Sequence, residues 1–183
     1  ATSVILSAAN DADIKVLNMY SRSPNAFCMY SKDESISSPA DLRGKTIAGP
    51  VGTNLHELLA AYLATADMTV DDVNFVNMGI PEAKAGLEGG SVDVALLAGA
   101  AAYQTQQQGY HLITDGEGLI NAIIAVAVTN KFYEAHPEII EKLQSAQAEI
   151  ADFMQNHEQE AYEMAAAELD LDVDAVKEMA QYY

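Results

Sequence analysis

The stretch Asp41–Ala64, DLRGKTIAGPVGTNLHELLAAYLA, decides the fold. A short apolar segment, Thr46–Ala48, runs into a turn carrying Gly49, Pro50 and Gly52. The turn opens directly into a segment whose residues Leu55, Leu58, Leu59, Tyr62 and Leu63 recur at helical spacing. That spacing predicts one apolar face on a helix over Asn54–Thr65. Asn54, followed three positions later by Glu57, resembles a capping pair. The first turn of a helix leaves backbone N–H groups without intrahelical acceptors and carries the positive end of the helix dipole. The join therefore suits an anionic or polar ligand group.

The same strand, turn and helix recur downstream. Strand Val73–Met78 precedes a helix that starts at Pro81 and stops at Gly89 and Gly90. Strand Val92–Leu97 runs into Gly99, helix Ala100–Gln108, the stop Gly109 and strand Tyr110–Ile113. Upstream lie a helix over Thr2–Ala9 and strands Ile14–Tyr20 and Ala26–Ser31. Repeated βα units predict an α/β fold with a mostly parallel sheet covered on both faces. Ligands collect outside the carboxyl ends of such strands. Here those ends are Gly49–Asn54, Met78–Pro81, Ala98–Ala101 and Thr114–Gly118, all rich in glycine, small or polar residues, although βα turns favour these for conformational reasons alone. The β-branched run Asn121–Asn130, NAIIAVAVTN, predicts a strand buried on both sides. From Pro137 onward the pattern is helical, with a further helix after Asp172.

Composition narrows the function. The 183 residues carry 27 acids against 9 bases, a formal charge of −18 that repels a phosphate backbone, so no nucleic-acid partner is expected. About half of the acids lie from Glu134 onward, against only Lys142 and Lys177, which reads as the solvated faces of the last helices. No apolar run approaches the roughly 18–20 residues of a membrane span. A single cysteine, Cys28, excludes an internal disulfide and a multi-cysteine metal site, and in the run AFCMY it reads as core.

Several catalytic patterns fail on spacing. His56-Glu57 begins a zinc-protease motif, but Ala60 stands where the second histidine belongs. Gly44-Lys45-Thr46 would need a glycine at Pro39 to be a phosphate loop, and Gly116-Glu117-Gly118 lacks the third glycine of a dinucleotide fingerprint. His56, His111, His136 and His157 show no ligand spacing, so neither a metal nor a cofactor is expected.

In order and spacing, DLRGKTIAGPVGTN, the amphipathic helix, VNFVNMGIPEAKAGLEGGSVDVALLAG and IIAVAVTNKFYEAHPEIIEKL resemble the nitrate/sulfonate/taurine-type substrate-binding proteins of ABC importers. These have the type II periplasmic-binding-protein fold and count pyrimidine-precursor synthases of thiamine biosynthesis among their relatives. The resemblance implies two lobes around a ligand cleft. Residues 1–40 would be a remnant of lobe 1 with the outward crossing strand, and 41–120 a complete three-layer αβα lobe 2. Residues 121–183 would be the return strand and C-terminal helices packing on lobe 1. With no starting Met or signal pattern and little of lobe 1, the chain reads as a fragment or a truncated member, and an exposed lobe-contact surface would favour dimerisation.

By position, the resemblance assigns ligand binding to Gly52, Thr53 and Asn54, to Gly99 and Ala100, to Met78, and to Ser21, Ser23 and Asn25. Arg22 is either an anion's partner or a surface residue. LLAGAA at Leu96–Ala101 departs from the bulky or acidic residue of many relatives and implies a smaller, more apolar wall. The implied protein is a non-enzymatic solute receptor, periplasmic or held outside the cell as a lipoprotein. It would bind a small polar or anionic molecule and engage membrane permease subunits. A synthase-like enzyme and a sensory ligand-binding domain are the alternatives on this fold.

Overall fold

Side chains alternate across three short central strands, and each face of the sheet gathers its own apolar cluster. The computed structural model describes Thr2–Tyr182. The elements are α1 (Thr2–Ala9), β1 (Ile14–Arg22), β2 (Phe27–Ser31), β3 (Thr46–Gly49), α2 (Asn54–Ala64), β4 (Asn74–Asn77), α3 (Ile80–Gly89), β5 (Val94–Ala98), α4 (Gly99–Gln107), β6 (His111–Asp115), β7 (Ile123–Thr129), α5 (Asn130–Ala135), α6 (Pro137–Asn156), α7 (Glu158–Leu169) and α8 (Val173–Ala180). They divide into two compact units. Thr2, Ser3 and Ser21–Ile123 belong to the first, and Val4–Tyr20 and Ile124–Gln181 to the second.

The first unit is built on a sheet of order β4-β3-β5-β2-β6. β3 runs parallel to β4 and β5, whereas β2 runs antiparallel to both β5 and β6. The sheet is mostly parallel, as expected, with β2 as the reversed strand. Met29, Ile47, Val94 and Leu96 point to one face and pack beneath α2. Cys28, Tyr30, Ala48, Ala95 and Leu97 point to the other, where Ala83 and Leu87 of α3 and Ala102 of α4 cover them. This period-2 division fits a strand covered on both sides.

The predicted apolar face of α2 is the buried one: Leu55, Leu58, Leu59 and Leu63 are at most 1% exposed. Each contributes about 1.5–3 kcal/mol by leaving water, and truncating Leu58 to alanine would cost about 2–5 kcal/mol.

In the second unit β1 and β7 form a two-stranded sheet, followed by α5–α8. The expectation of two-sided burial for Asn121–Asn130 is corrected: Ile123–Val128 are all partly exposed and Thr129 is exposed. β7 has β1 as its hydrogen-bonded neighbour, and a β-branched run reads alike whether one face or both are covered. Lys15 Nζ lies 3.9 Å from the Tyr133 ring centroid, and the Asn130 N–H donates to the Asp13 carbonyl at 3.1 Å. α6 begins at Pro137, where the missing N–H costs nothing, and α8 buries Val176 and Met179.

Candidate functional site

Strand direction alone gathers the residues singled out in the sequence. β4, β3, β5 and β6 all end at one edge of the sheet, and β2 begins there, since Phe27 pairs with Ala98 and Cys28 with Asp115. Asn77 and Met78, the turn Pro50–Thr53, Ala98–Ala100, Asn25 and Gly116 therefore share that edge. α2 follows β3 onto one face, and α4 follows β5 onto the other. Neighbouring parallel strands whose helices leave to opposite faces open a crevice between them, the usual ligand position in open α/β sheets.

The turn into α2 is tightly tied. Gly52 has φ 71°, a left-handed conformation that glycine adopts without steric cost. Thr53 caps the helix: its Oγ1 accepts the Leu55 N–H at 3.2 Å and donates to the Pro50 carbonyl at 2.8 Å. The cap is thus one residue earlier than the Asn54–Glu57 pairing predicts. Asn54 is the first helical residue, with its side chain turned inward and the residue only 9% exposed.

The Val51 N–H donates to Asn77 Oδ1 at 3.0 Å, and the Gly52 N–H to His56 Nδ1 at 3.4 Å. The His56 ring lies 4.9 Å from that of Phe75. With these donors engaged, the N–H groups of Thr53 and Asn54 have no partner among the described residues.

Sequence reasoning missed two hydroxyls at this turn. Thr2 Oγ1 lies 2.6 Å from Asn54 Oδ1 and also hydrogen-bonds Glu57 Oε2, while Ser3 Oγ donates to the Gly52 carbonyl at 2.8 Å. Glu57 therefore meets Thr2 and does not complete a capping box. No local pattern signals these contacts, because the partners lie about fifty residues apart.

The second helix head at this edge is less engaged. α4 begins at Gly99, with φ 60°, after Ala98, which has no side chain able to cap it. Its first N–H groups have no side-chain acceptor among the described residues, and its positive dipole end adds to that of α2.

The remaining predicted residues divide. Met78 is half-buried against the Cys28, Tyr30 and Ala48 cluster. Asn25 is half-buried, and its carbonyl accepts the Cys28 thiol at 3.4 Å. Ser23 is 2% exposed, pairs with Ser21 through hydroxyls 2.7 Å apart, and donates its N–H to the Ala122 carbonyl at 3.5 Å. Arg22 donates to Asn121 Oδ1 at 2.8 Å on the surface. Burial pushes the Cys28 thiol pKa up to about 12, which suits a packed side chain and not a nucleophile. Among the described residues no group of three histidine, cysteine, aspartate or glutamate side chains is arranged to hold a metal.

Comparison with known proteins follows the same lines. The family model described as NMT1/THI5 like matches residues 1–161. A search of curated protein sequences finds no match. Among solved structures, the periplasmic aliphatic sulphonate-binding protein SsuA of Escherichia coli superposes with a TM-score of 0.80 at 19% identity, covering 98% of this chain and 62% of its own. The alkanesulfonate-binding SsuA of Xanthomonas axonopodis pv. citri, bound to MOPS, gives 0.87 at 19% identity, with 98% and 63% covered. The desulfurization enzyme DszB gives 0.66 at 18% identity, with 96% and 67% covered. These likenesses establish a shared periplasmic-binding-protein fold. The chain spans a little over three-fifths of the length of the two sulfonate-binding structures.

Proposed function

Since the chain belongs to the NMT1/THI5-like family, we propose that it is the ligand-holding part of an extracytoplasmic solute-binding protein that delivers a small organic anion to an ABC importer. The observation that carries this reading is the pair of helix heads following the neighbouring parallel strands β3 and β5, with the Thr53 and Asn54 N–H groups unpartnered among the described residues at one and no side-chain cap at the head of α4. A sulfonate or carboxylate oxygen accepts such N–H groups without needing a formal cation, which accords with the absence of a lysine or arginine from these two turns.

In this reading residues 41–120 form the second lobe, whose sheet also takes in β2, residues 1–40 carry the remnant of the first lobe and the outward strand, and residues 121–183 the return strand and closing helices. Gly52, Thr53, Asn54, Gly99 and Ala100 provide backbone contacts, Met78 an apolar one, and Ser21, Ser23 and Asn25 border the site. The permease subunits are the protein's partners at the membrane. No helix among the described residues is long and apolar enough to cross it.

The enzyme alternative has one observation in its favour, the fold shared with DszB. Against cysteine chemistry stands Cys28, the single cysteine, which is buried with a raised thiol pKa.

The test is a thermal-shift screen of the full-length protein against alkanesulfonates, MOPS, carboxylates and nitrate, with chromatography of the recovered ligand. A receptor gains stability by mass action, about 2.7 kcal/mol at a hundredfold excess over Kd, and returns its ligand unchanged. Conversion of the ligand, or no stabilisation by any of these anions, would contradict the proposal.

A further inference from the structure

We propose that Ala122 is a strained pivot, and the Arg22–Asn121 pair the catch that holds it, at a place where the chain passes between its two compact units. Four non-glycine residues among those described have positive φ. Asp11 follows α1, Asp67 follows α2 and Asp170 is the C-cap of α7, and a short polar side chain tolerates the left-handed region at such helix ends. Ala122, at φ 47°, has no such side chain. It does not end a helix, and it is 2% exposed within the apolar cluster that includes Met29 and Ile120, so nothing local accounts for its conformation. Strain of this kind persists only where the surroundings impose it.

Here they impose it at a crossing. The first unit takes in Ser21–Ile123, so the chain passes between the units at Tyr20–Ser21 and again at Ile123–Ile124. On the first unit's side the two points are joined: the Arg22 guanidinium donates to Asn121 Oδ1 at 2.8 Å, and the Ser23 N–H donates to the Ala122 carbonyl at 3.5 Å. Ser23 is 2% exposed, and its hydroxyl is 2.7 Å from that of Ser21. Arg22 is the last residue of β1 and Ala122 immediately precedes β7, so a change of φ at Ala122 re-aims the strand that leads into the second unit. Hinges are a few residues at the ends of elements that absorb such backbone changes. Two arrangements of the passage follow. In one, Ala122 is left-handed and held by Arg22–Asn121; in the other, Ala122 relaxes to an ordinary conformation and the Ser23 N–H loses its acceptor. Strain favours the second and the Arg22–Asn121 hydrogen bond the first, so these groups set the ratio of the two states.

The test compares the wild type, Ala122→Gly and Arg22→Ala in the full-length protein without ligand. It reads amide hydrogen exchange at Ser23 and the interspin distance between nitroxides at Gln106→Cys on α4 and Glu149→Cys on α6, both exposed positions, Cys28 being buried. Glycine takes the left-handed conformation without steric cost. Ala122→Gly should therefore slow Ser23 exchange about tenfold and narrow the distance distribution. Arg22→Ala, at an exposed position, should speed that exchange about three- to tenfold, the scale of one hydrogen bond, and broaden or move the distribution. Ser23 exchange unchanged in both variants, or changed in the same direction by both, would overturn the strained pivot. Exchange that responds as expected while the interspin distances stay the same would overturn its role between the units. Exchange at Val51, whose N–H is bonded to Asn77 elsewhere in the first unit, should be the same in all three proteins, which marks the effect as local.

Discussion

The side-chain oxygen of Asn77 accepts the Val51 N–H at 3.0 Å, so the end of β4 holds the turn that follows β3. Two parallel neighbours thereby share responsibility for the conformation that leaves the Thr53 and Asn54 N–H groups open.

Replacing Asn77 by alanine removes this acceptor and is expected to cost about 1 kcal/mol of stability, the net worth of one such hydrogen bond. Because the turn loses its tie to β4, sulfonate affinity should fall several-fold as well. Urea unfolding and calorimetric titration of the variant check the two effects. Wild-type affinity with reduced stability would mean that the turn keeps its shape unaided.

Gly116 is required for packing at the end of β6. A Cβ placed there would stand 2.4 Å from the Pro24 carbonyl oxygen, a backbone atom that cannot swing aside. Gly116→Ala should destabilise by about 1–3 kcal/mol, as other overpacking changes do. At Gly89, in the last turn of α3, a Cβ meets nothing within 4 Å, and the same substitution should be neutral or stabilising. Thermal melts of the two variants separate a packing requirement from a general intolerance of alanine.

Asp72 gives the first unit an acid-sensitive contact. The Thr69 N–H and the Arg43 guanidinium hold its carboxyl below the ordinary value of 3.8. A pKa depressed by folding contributes stability that is present above the unfolded value and lost as the pH falls through the folded one. Asp72→Asn should therefore lower the unfolding midpoint at about pH 7 and lower it less at about pH 2.5. A midpoint difference between wild type and variant that grows on acidification would contradict the sign. The Arg43 side chain is exposed and that of Asp72 partly so, and the effect is modest and weakens with salt.

The α2 segment was legible because its information is local. The apolar spacing of Leu55, Leu58, Leu59 and Leu63 survives in the structure as the buried face, and the glycines at Gly89–Gly90 and Gly109 mark the ends of α3 and α4 closely. The four carboxyl ends could be named in advance for the same reason: a strand, a glycine-bearing turn and a helix leave a local signature. What the sequence hid is nonlocal. Nothing in Phe27–Ser31 states that β2 enters the sheet reversed between β5 and β6. Strand order depends on pairings between distant segments. Thr2 and Ser3 were likewise invisible as partners of Asn54, Glu57 and Gly52 until the chain was folded. The Asn54–Glu57 pairing places the cap one residue late, since threonine and asparagine both cap well and the local pattern does not separate them.

The head of α2 is expected to hold the ligand's anionic group through the Thr53 and Asn54 N–H groups. The most direct measurement is an amide-resolved NMR titration of the full-length protein with 2-aminoethanesulfonate and with MOPS. A bound sulfonate should move the Thr53 and Asn54 amide resonances downfield, as new hydrogen bonds to an anion would, and Val51, already bonded to Asn77, should move less. Saturating binding that leaves both amides in place would contradict it.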